Sequence, residues 1–449
     1  MTTPICDFVR EYQKKDPLRL HMPGHKGRAF LGPETMDITE IAGADELYHA
    51  RGVIRQSEEN ASSLFGAGKT LYSTEGSSLC IRAMVRLALL HGKILGRRPL
   101  ILAGRNAHRT FLTASALLDA DVEWLFPERE ESLLSCEISA AGLEKALNGM
   151  PEKPAAVYVT SPDYLGHTLD MEALSAVCRR HNILLLADNA HGAYLKFLPK
   201  DRHPITLGAD LCCDSAHKTL PVLTGGAYLH IAKTAPESIK ETAEQAMALF
   251  ASTSPSYLIL QSLDACNAAL SGPYPRELAR LSRRVEKMKG ALSAAGYELV
   301  GSEPIKLTLA PKSYGYTGDE LHDLLRAQNM ECEFSDPDFL TVMLTPALTD
   351  AELDRLEAAL LGIPSKPALS ALPPPLPHPR RVLSIRDALL SPSREMPVAQ
   401  AEGMILADAH VSCPPCVPIL ACGEEIDPAA IRCFQYYGIE SCRVALPPR

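Results

Sequence analysis

Ile183-Leu-Leu-Leu-Ala-Asp-Asn-Ala-His-Gly-Ala-Tyr194 runs through an unbroken apolar stretch into an aspartate and then turns. An apolar run of that length suits a strand buried on both faces, as in a parallel sheet. An aspartate closing such a strand lies at the carboxyl edge of the sheet, where α/β folds bind ligands. Capping of the next helix is the plain alternative for Asp188. Residues 99–103 (PLILA) and 155–160 (AAVYVT) read as strands of the same kind, and Met171–His181 (MEALSAVCRRH) as a helix. The alternation predicts an α/β domain with a mostly parallel sheet.

With 449 residues the chain is too long for one ordinary core, so two or three domains are expected. Residues 1–60 read as an arm and lead-in helix, 61–270 as a large domain and 271–363 as a small one. Residues 364–379, with ALPPPLPHP, form a stiff Pro-rich linker, and 380–449 a C-terminal domain. Within 271–363, residues 277–296 read as a long helix and 304–310 as a strand. Thr317-Gly-Asp-Glu320 and Thr349-Asp-Ala-Glu352 have capping-box spacing. A net charge of -9 argues against nucleic acid as a partner. The N-terminus lacks the apolar segment of a signal peptide, and no apolar run approaches a membrane span. The 13 cysteines show no pairing rhythm, which suits reduced thiols and a cytoplasmic setting.

Lys218 lies in Cys213-Asp-Ser-Ala-His-Lys-Thr-Leu-Pro-Val-Leu-Thr-Gly-Gly226, between a histidine and apolar residues. A semi-buried lysine works as an amine, because burial lowers its pKa. The strand-like piece 209–213 before it can return Lys218 to the rim that holds Asp188. An amine and a carboxylate meeting there fit pyridoxal phosphate: the amine forms a Schiff base with its aldehyde, and the carboxylate keeps the pyridine nitrogen protonated. A phosphate cradle is offered by Gly76, Ser77 and Ser78 before the helical stretch 79–91, since helix N-termini bind anions. Ser215 and His217 add donors. His108, after the PLILA strand, has the placement to stack on a ring or to remain a solvated loop histidine.

The segments LHMPGHKG, TSPDYLGHTLDMEAL, ADNAHGAY, DSAHKTLPVLTGGAYLH and STSPSYLILQSLD, in that order, resemble the Orn/Lys/Arg decarboxylase family. EFSDPDFLTVMLTP and the C-terminal SIRDALLSPSREMPVAQAEGMILADAHVSCPPCVP extend the likeness over nearly the whole chain. That family belongs to the fold-type-I, aspartate-aminotransferase-like pyridoxal phosphate enzymes, and this chain looks like its short form without an N-terminal wing domain. The resemblance implies that Lys218 carries the cofactor, Asp188 holds the pyridinium nitrogen, His191 lies near the phenolic oxygen and His108 stacks on the ring. Gly76, Ser77, Ser78, Ser215 and His217 would hold the phosphate. Thr253 and Ser254 would reach the phosphate of a neighbouring subunit, which implies a homodimer with shared sites; higher assembly is left open.

Departures from the family pattern touch Glu75, where an asparagine is usual, Asn189, where a glutamate is usual, and Cys413-Pro-Pro-Cys416, where Tyr-Pro-Pro-Gly is usual. Asp408, Asp45, Glu46 and Glu75 are candidates to meet a cationic substrate, Asp408 and Glu46 foremost. The implied reaction is decarboxylation of lysine, ornithine or arginine to the amine. Residues 333–350 hold no arginine of the kind that fixes a substrate carboxylate in aminotransferases, which agrees with loss of that group. Two further readings stand beside it: aminotransfer or lyase chemistry with the same cofactor, and a degenerate homologue with a structural or regulatory role. No metal is expected, since Pro23-Gly24 keeps His21 and His25 off a common helix. Gly66-Ala-Gly-Lys-Thr70 fails as a phosphate loop, because Ser63 stands where its first glycine belongs and a helix precedes it. Cys413 and Cys416 have redox spacing but prolines fill the turn.

Overall fold

The computed structural model describes residues 1–129, 132–409, 412–413 and 416–446. The chain divides into two compact units, Met1–Gly96 with Met171–Ala279 and Arg97–Asp170 with Arg280–Arg449. The α/β core is built on β1 (Lys69–Ser73), β2 (Leu100–Gly104), β3 (Asp121–Leu125), β4 (Ala156–Thr160), β5 (Leu184–Asp188), β6 (Leu211–Asp214) and β7 (Ala227–Ile231).

In the first unit the order is β1-β7-β6-β5. β5 and β6 are parallel, with Asp188 in register with Cys213, while β7 runs antiparallel to both its neighbours. β5 and β6 are buried along their whole length, as the apolar runs require. The helix Val53–Phe65 ends at Gly66 in the left-handed region, φ 71°, where glycine carries no Cβ penalty. At Gly68 a Cβ would come within 2.9 Å of the Ala232 carbonyl oxygen. These glycines therefore serve a tight helix-to-strand turn, with the helix first and the strand after.

The second unit holds β4-β2-β3, all parallel. It also carries a smaller antiparallel sheet of β8 (Leu299–Val300), β9 (Lys306–Leu309), β10 (Phe334–Ser335) and β11 (Leu340–Met343), in the order β10-β11-β9-β8. The helices Gly318–Arg326 and Asp350–Leu361 both begin with complete capping boxes. No helix or strand falls within 364–379. Beyond it, Val398, Leu406, Val417, Ile419, Leu420, Phe434 and Val444 share one apolar core with Leu133, Leu134, Tyr164 and Leu165. Arg105 fastens the same region. Its guanidinium pairs with Glu424 at 3.1 Å, donates to the carbonyls of Pro418 and Ile419, and lies over the Trp124 ring. The fold class is α/β with a mostly parallel sheet. No helix among the described residues is long and apolar enough to cross a membrane.

Candidate active site

Lys218 sits in the short helix Ala216–Thr219, one turn beyond β6. It is half-buried, as its apolar surroundings suggested. Its Nζ lies 2.8 Å from Nε2 of His191, which comes from the turn after β5. Adjacent parallel strands explain the meeting: both carboxyl ends open on the same edge of the sheet. Asp188, 2% exposed, closes β5. One of its oxygens accepts from the backbone N–H of Ala190 at 3.2 Å and lies 3.5 Å from the Cys213 thiol. Burial, and then the Asp188 charge, pushes that thiol well above its ordinary pKa, so it stays protonated and donates.

The proposed cradle is also assembled within this unit. The helix Ser77–Ile94 opens at Gly76, whose φ of 72° favours glycine and which has no side chain to cap the first turn. The Gly76 N–H donates to the Gly225 carbonyl at 2.7 Å, and Gly225 has φ 99° with the Thr74 carbonyl oxygen where a Cβ would go. The Ser215 hydroxyl donates to the Ser77 hydroxyl at 2.6 Å, tying the lysine segment to the helix N-terminus. His217 bonds the Gly226 carbonyl through both its backbone N–H and Nδ1. Glu75 turns aside to accept the Ser252 N–H at 2.7 Å, so its carboxylate holds the loop that carries the exposed Thr253 and Ser254.

Other candidates are placed differently. His108 belongs to the second unit and caps the helix Arg109–Leu118, its Nδ1 accepting from the Thr110 N–H at 3.1 Å. Asp45 is engaged by the N–H groups of Arg51, Gly52 and Ile54. Burial opposes its charge, but those bonds prevail and lower its pKa. Glu46 is exposed and Asp408, in the second unit, is half-buried. Pro414 and Pro415 of the Cys413–Cys416 turn lie outside the described residues.

Sequence reasoning passed over Asp214, His203 and His230, all wholly buried beside the site. Asp214 closes β6 as Asp188 closes β5, so the same signal marked it: a carboxylate at the end of an apolar strand.

A buried carboxylate, a half-buried lysine amine, clustered hydroxyls and an open helix N-terminus form the donor set that pyridoxal phosphate requires, and the residues present fit it. A match to the family described as "Orn/Lys/Arg decarboxylase, major domain" spans residues 3–294. The chain belongs to that family. It is 28% identical to an arginine decarboxylase of Bacillus anthracis, over 94% of this chain and 90% of that protein. It is likewise 28% identical to an arginine decarboxylase of Bacillus subtilis, over 94% and 91%. Among solved structures, the constitutive lysine decarboxylase of E. coli superposes with a TM-score of 0.78 at 16% identity, covering 99% of this chain and 82% of that one. The lysine decarboxylase LdcF of Francisella novicida gives 0.79 at 16%, covering 99% and 81%. At such identity the structures speak for the fold alone. Membership of the family makes the chain an amino-acid decarboxylase.

Proposed function

We propose that the protein is a pyridoxal-phosphate-dependent decarboxylase of a basic L-amino acid, with arginine the first substrate to test because the curated relatives that span the chain carry that name. The observation that carries the reading is the contact of Lys218 Nζ with His191 Nε2 beside buried Asp188. Lys218 would hold the aldehyde carbon, Asp188 the pyridine nitrogen, and Gly76, Ser77, Ser78, Ser215 and His217 the phosphate. Bound there, the cofactor supplies a protonated ring that accepts the electron pair left by departing carbon dioxide.

Asp188 would meet the pyridine nitrogen from a buried position, where an ion pair is weakened little by solvent. Lys218 and His191, 2.8 Å apart, would supply the general acid that reprotonates Cα. Thr253 and Ser254, exposed on the loop that Glu75 holds, would meet the phosphate of a second copy, making a homodimer the working form.

The test is a panel of arginine, lysine and ornithine with purified, cofactor-loaded protein, scored for carbon dioxide and amine. Release from at least one, lost in Lys218→Ala, supports the reading. Transfer of the amino group to a keto acid without carbon dioxide would replace it with aminotransfer.

A further inference from the structure

Around Asp214 lies a closed polar network that the proposed chemistry leaves unused. Its Oδ2 is 2.9 Å from His203 Nε2 and 3.2 Å from His230 Nε2, and its Oδ1 accepts from the Asn189 amide at 2.7 Å. All four side chains are fully buried.

Two imidazoles on one carboxylate suggest a metal site, but the far side of His203 decides otherwise. Its Nδ1 accepts the backbone N–H of Ile205. The proton of a neutral imidazole then sits on Nε2 and points at Asp214, where a metal would need a lone pair. His230 can do the same where the Thr70 hydroxyl donates to it. Its Nδ1 is 2.9 Å from the Thr70 hydroxyl, and Phe65 packs on its ring at 4.3 Å. Burial lowers the His230 pKa against the pull of Asp214. Burial opposes the charge on Asp214, yet the charge attraction of His203, with the hydrogen bonds from His203 and His230, outweighs it and holds its carboxyl far below the usual range. The outcome is a buried carboxylate held by the side chains of His203, His230 and Asn189.

Asn189 is the member of this network that adjoins the site along the chain. It stands directly between Asp188 and Ala190, whose N–H meets the Asp188 carboxylate, and two residues before His191. Its own N–H is held by the Cys213 carbonyl at 3.0 Å, so the Asp214 bond fixes the remaining freedom of its side chain. A glutamate at 189, as the family pattern has it, would set two carboxylates together in this buried pocket, and like charges there are strongly disfavoured. Asparagine at 189 and aspartate at 214 thus belong together in this chain.

We propose that Asp214 is a positioning residue which, through Asn189, sets the turn that presents Asp188 and His191 to the cofactor and to Lys218. The inference rests on the proposed function above. Residues 203 and 230 act by keeping Asp214 ionised and aimed.

The experiment follows the visible band of the lysine-bound cofactor in the parent protein, Asn189→Ala, Asp214→Asn and the double variant. Each is titrated with pyridoxal phosphate and with pH, and the apo forms are unfolded in urea. Loss of one buried, charge-assisted bond predicts cofactor binding weaker by roughly tenfold in Asn189→Ala, with a displaced pH midpoint of the band. The double variant should be no worse in both readouts than the worse single variant, since both act along one path. Band midpoint and affinity unchanged in Asn189→Ala, or effects that add in the double variant, overturn the proposal. Should Asp214→Asn fail to fold, Asn189→Ala alone still decides, because it leaves both histidines on the carboxylate. A parent that develops no band sinks the cofactor reading and this inference together; a normal parent with an indifferent Asn189→Ala sinks the inference alone.

Discussion

Lys218 Nζ and His191 Nε2 stand 2.8 Å apart, so only one proton can occupy the line between them. Replacing His191 by phenylalanine keeps a ring in the turn and removes the proton partner. The turnover number should fall by about 10²–10⁴-fold, the usual worth of a positioned acid or base, while the protein still retains pyridoxal phosphate. Steady-state kinetics with the preferred amino acid, beside a cofactor assay, check this; unchanged turnover would remove His191 from the chemistry. At this scale the sequence was readable where residue type and strand end coincide, as at Asp188, or where a lysine has apolar neighbours, as at Lys218. It was silent on His203 and His230. They lie far apart in sequence and become neighbours only when β7 returns beside β6, and a histidine has no pattern that separates burial from exposure. His108 shows the opposite case: a loop histidine with two placements in view proved also to be a helix cap, a role that its spacing to Thr110 allowed.

Elements are specified by short-range chemistry, and their stability should answer to it. Thr317 accepts the Glu320 N–H while Glu320 accepts the Thr317 N–H, both legible from spacing alone. Thr317→Ala should destabilise the second unit by about 1 kcal/mol, read as a lower urea midpoint at constant slope. The helix Val53–Phe65 carries a subtler device. Glu58, 7% exposed, accepts the Tyr72 N–H of β1 at 2.9 Å, and burial pushes its pKa up to about 8. In the unfolded chain its value is near the ordinary 4.5. Between those limits the folded state binds the extra proton, so stability falls as pH rises from about 4.5 to 8 and changes no further through this group above that. Glu58→Gln keeps the acceptor and cannot ionise. Its stability relative to the parent should therefore grow across that window by up to a few kcal/mol, since each tenfold change in proton affinity is worth ~1.4 kcal/mol. Urea unfolding at pH 5 and pH 8 measures the difference; an equal gap at both would place the Glu58 proton elsewhere. Strand existence was equally legible, because β2, β4 and β5 are plain apolar runs. The direction of β7 was not, since an apolar run looks the same read along either sense of the sheet.

Over the whole molecule, the feature still to be accounted for is the N-terminal arm. Leu18, Leu20, Phe30 and Leu31 are each more than 80% exposed. Yet the segment is not loosely held. Arg19 donates to the carbonyls of Glu34, Thr35 and Asp37, and His25 pairs with Asp37 at 3.1 Å. Polar contacts thus fix the arm while its large apolar side chains face outward, an arrangement that a covering surface would make favourable. The proposed homodimer supplies one. Burying such a side chain contributes about 1.5–3 kcal/mol, so losing two of them on each of two chains exceeds what many dimers can spare. Phe30→Asp combined with Leu31→Asp should convert the protein to monomer at micromolar concentration in analytical ultracentrifugation. Pyridoxal phosphate binding should weaken with it, because Thr253 and Ser254 would then have no second phosphate to meet. A double variant that stays dimeric places the interface elsewhere, and a monomer that binds the cofactor as tightly as the parent shows that each site is complete within one chain.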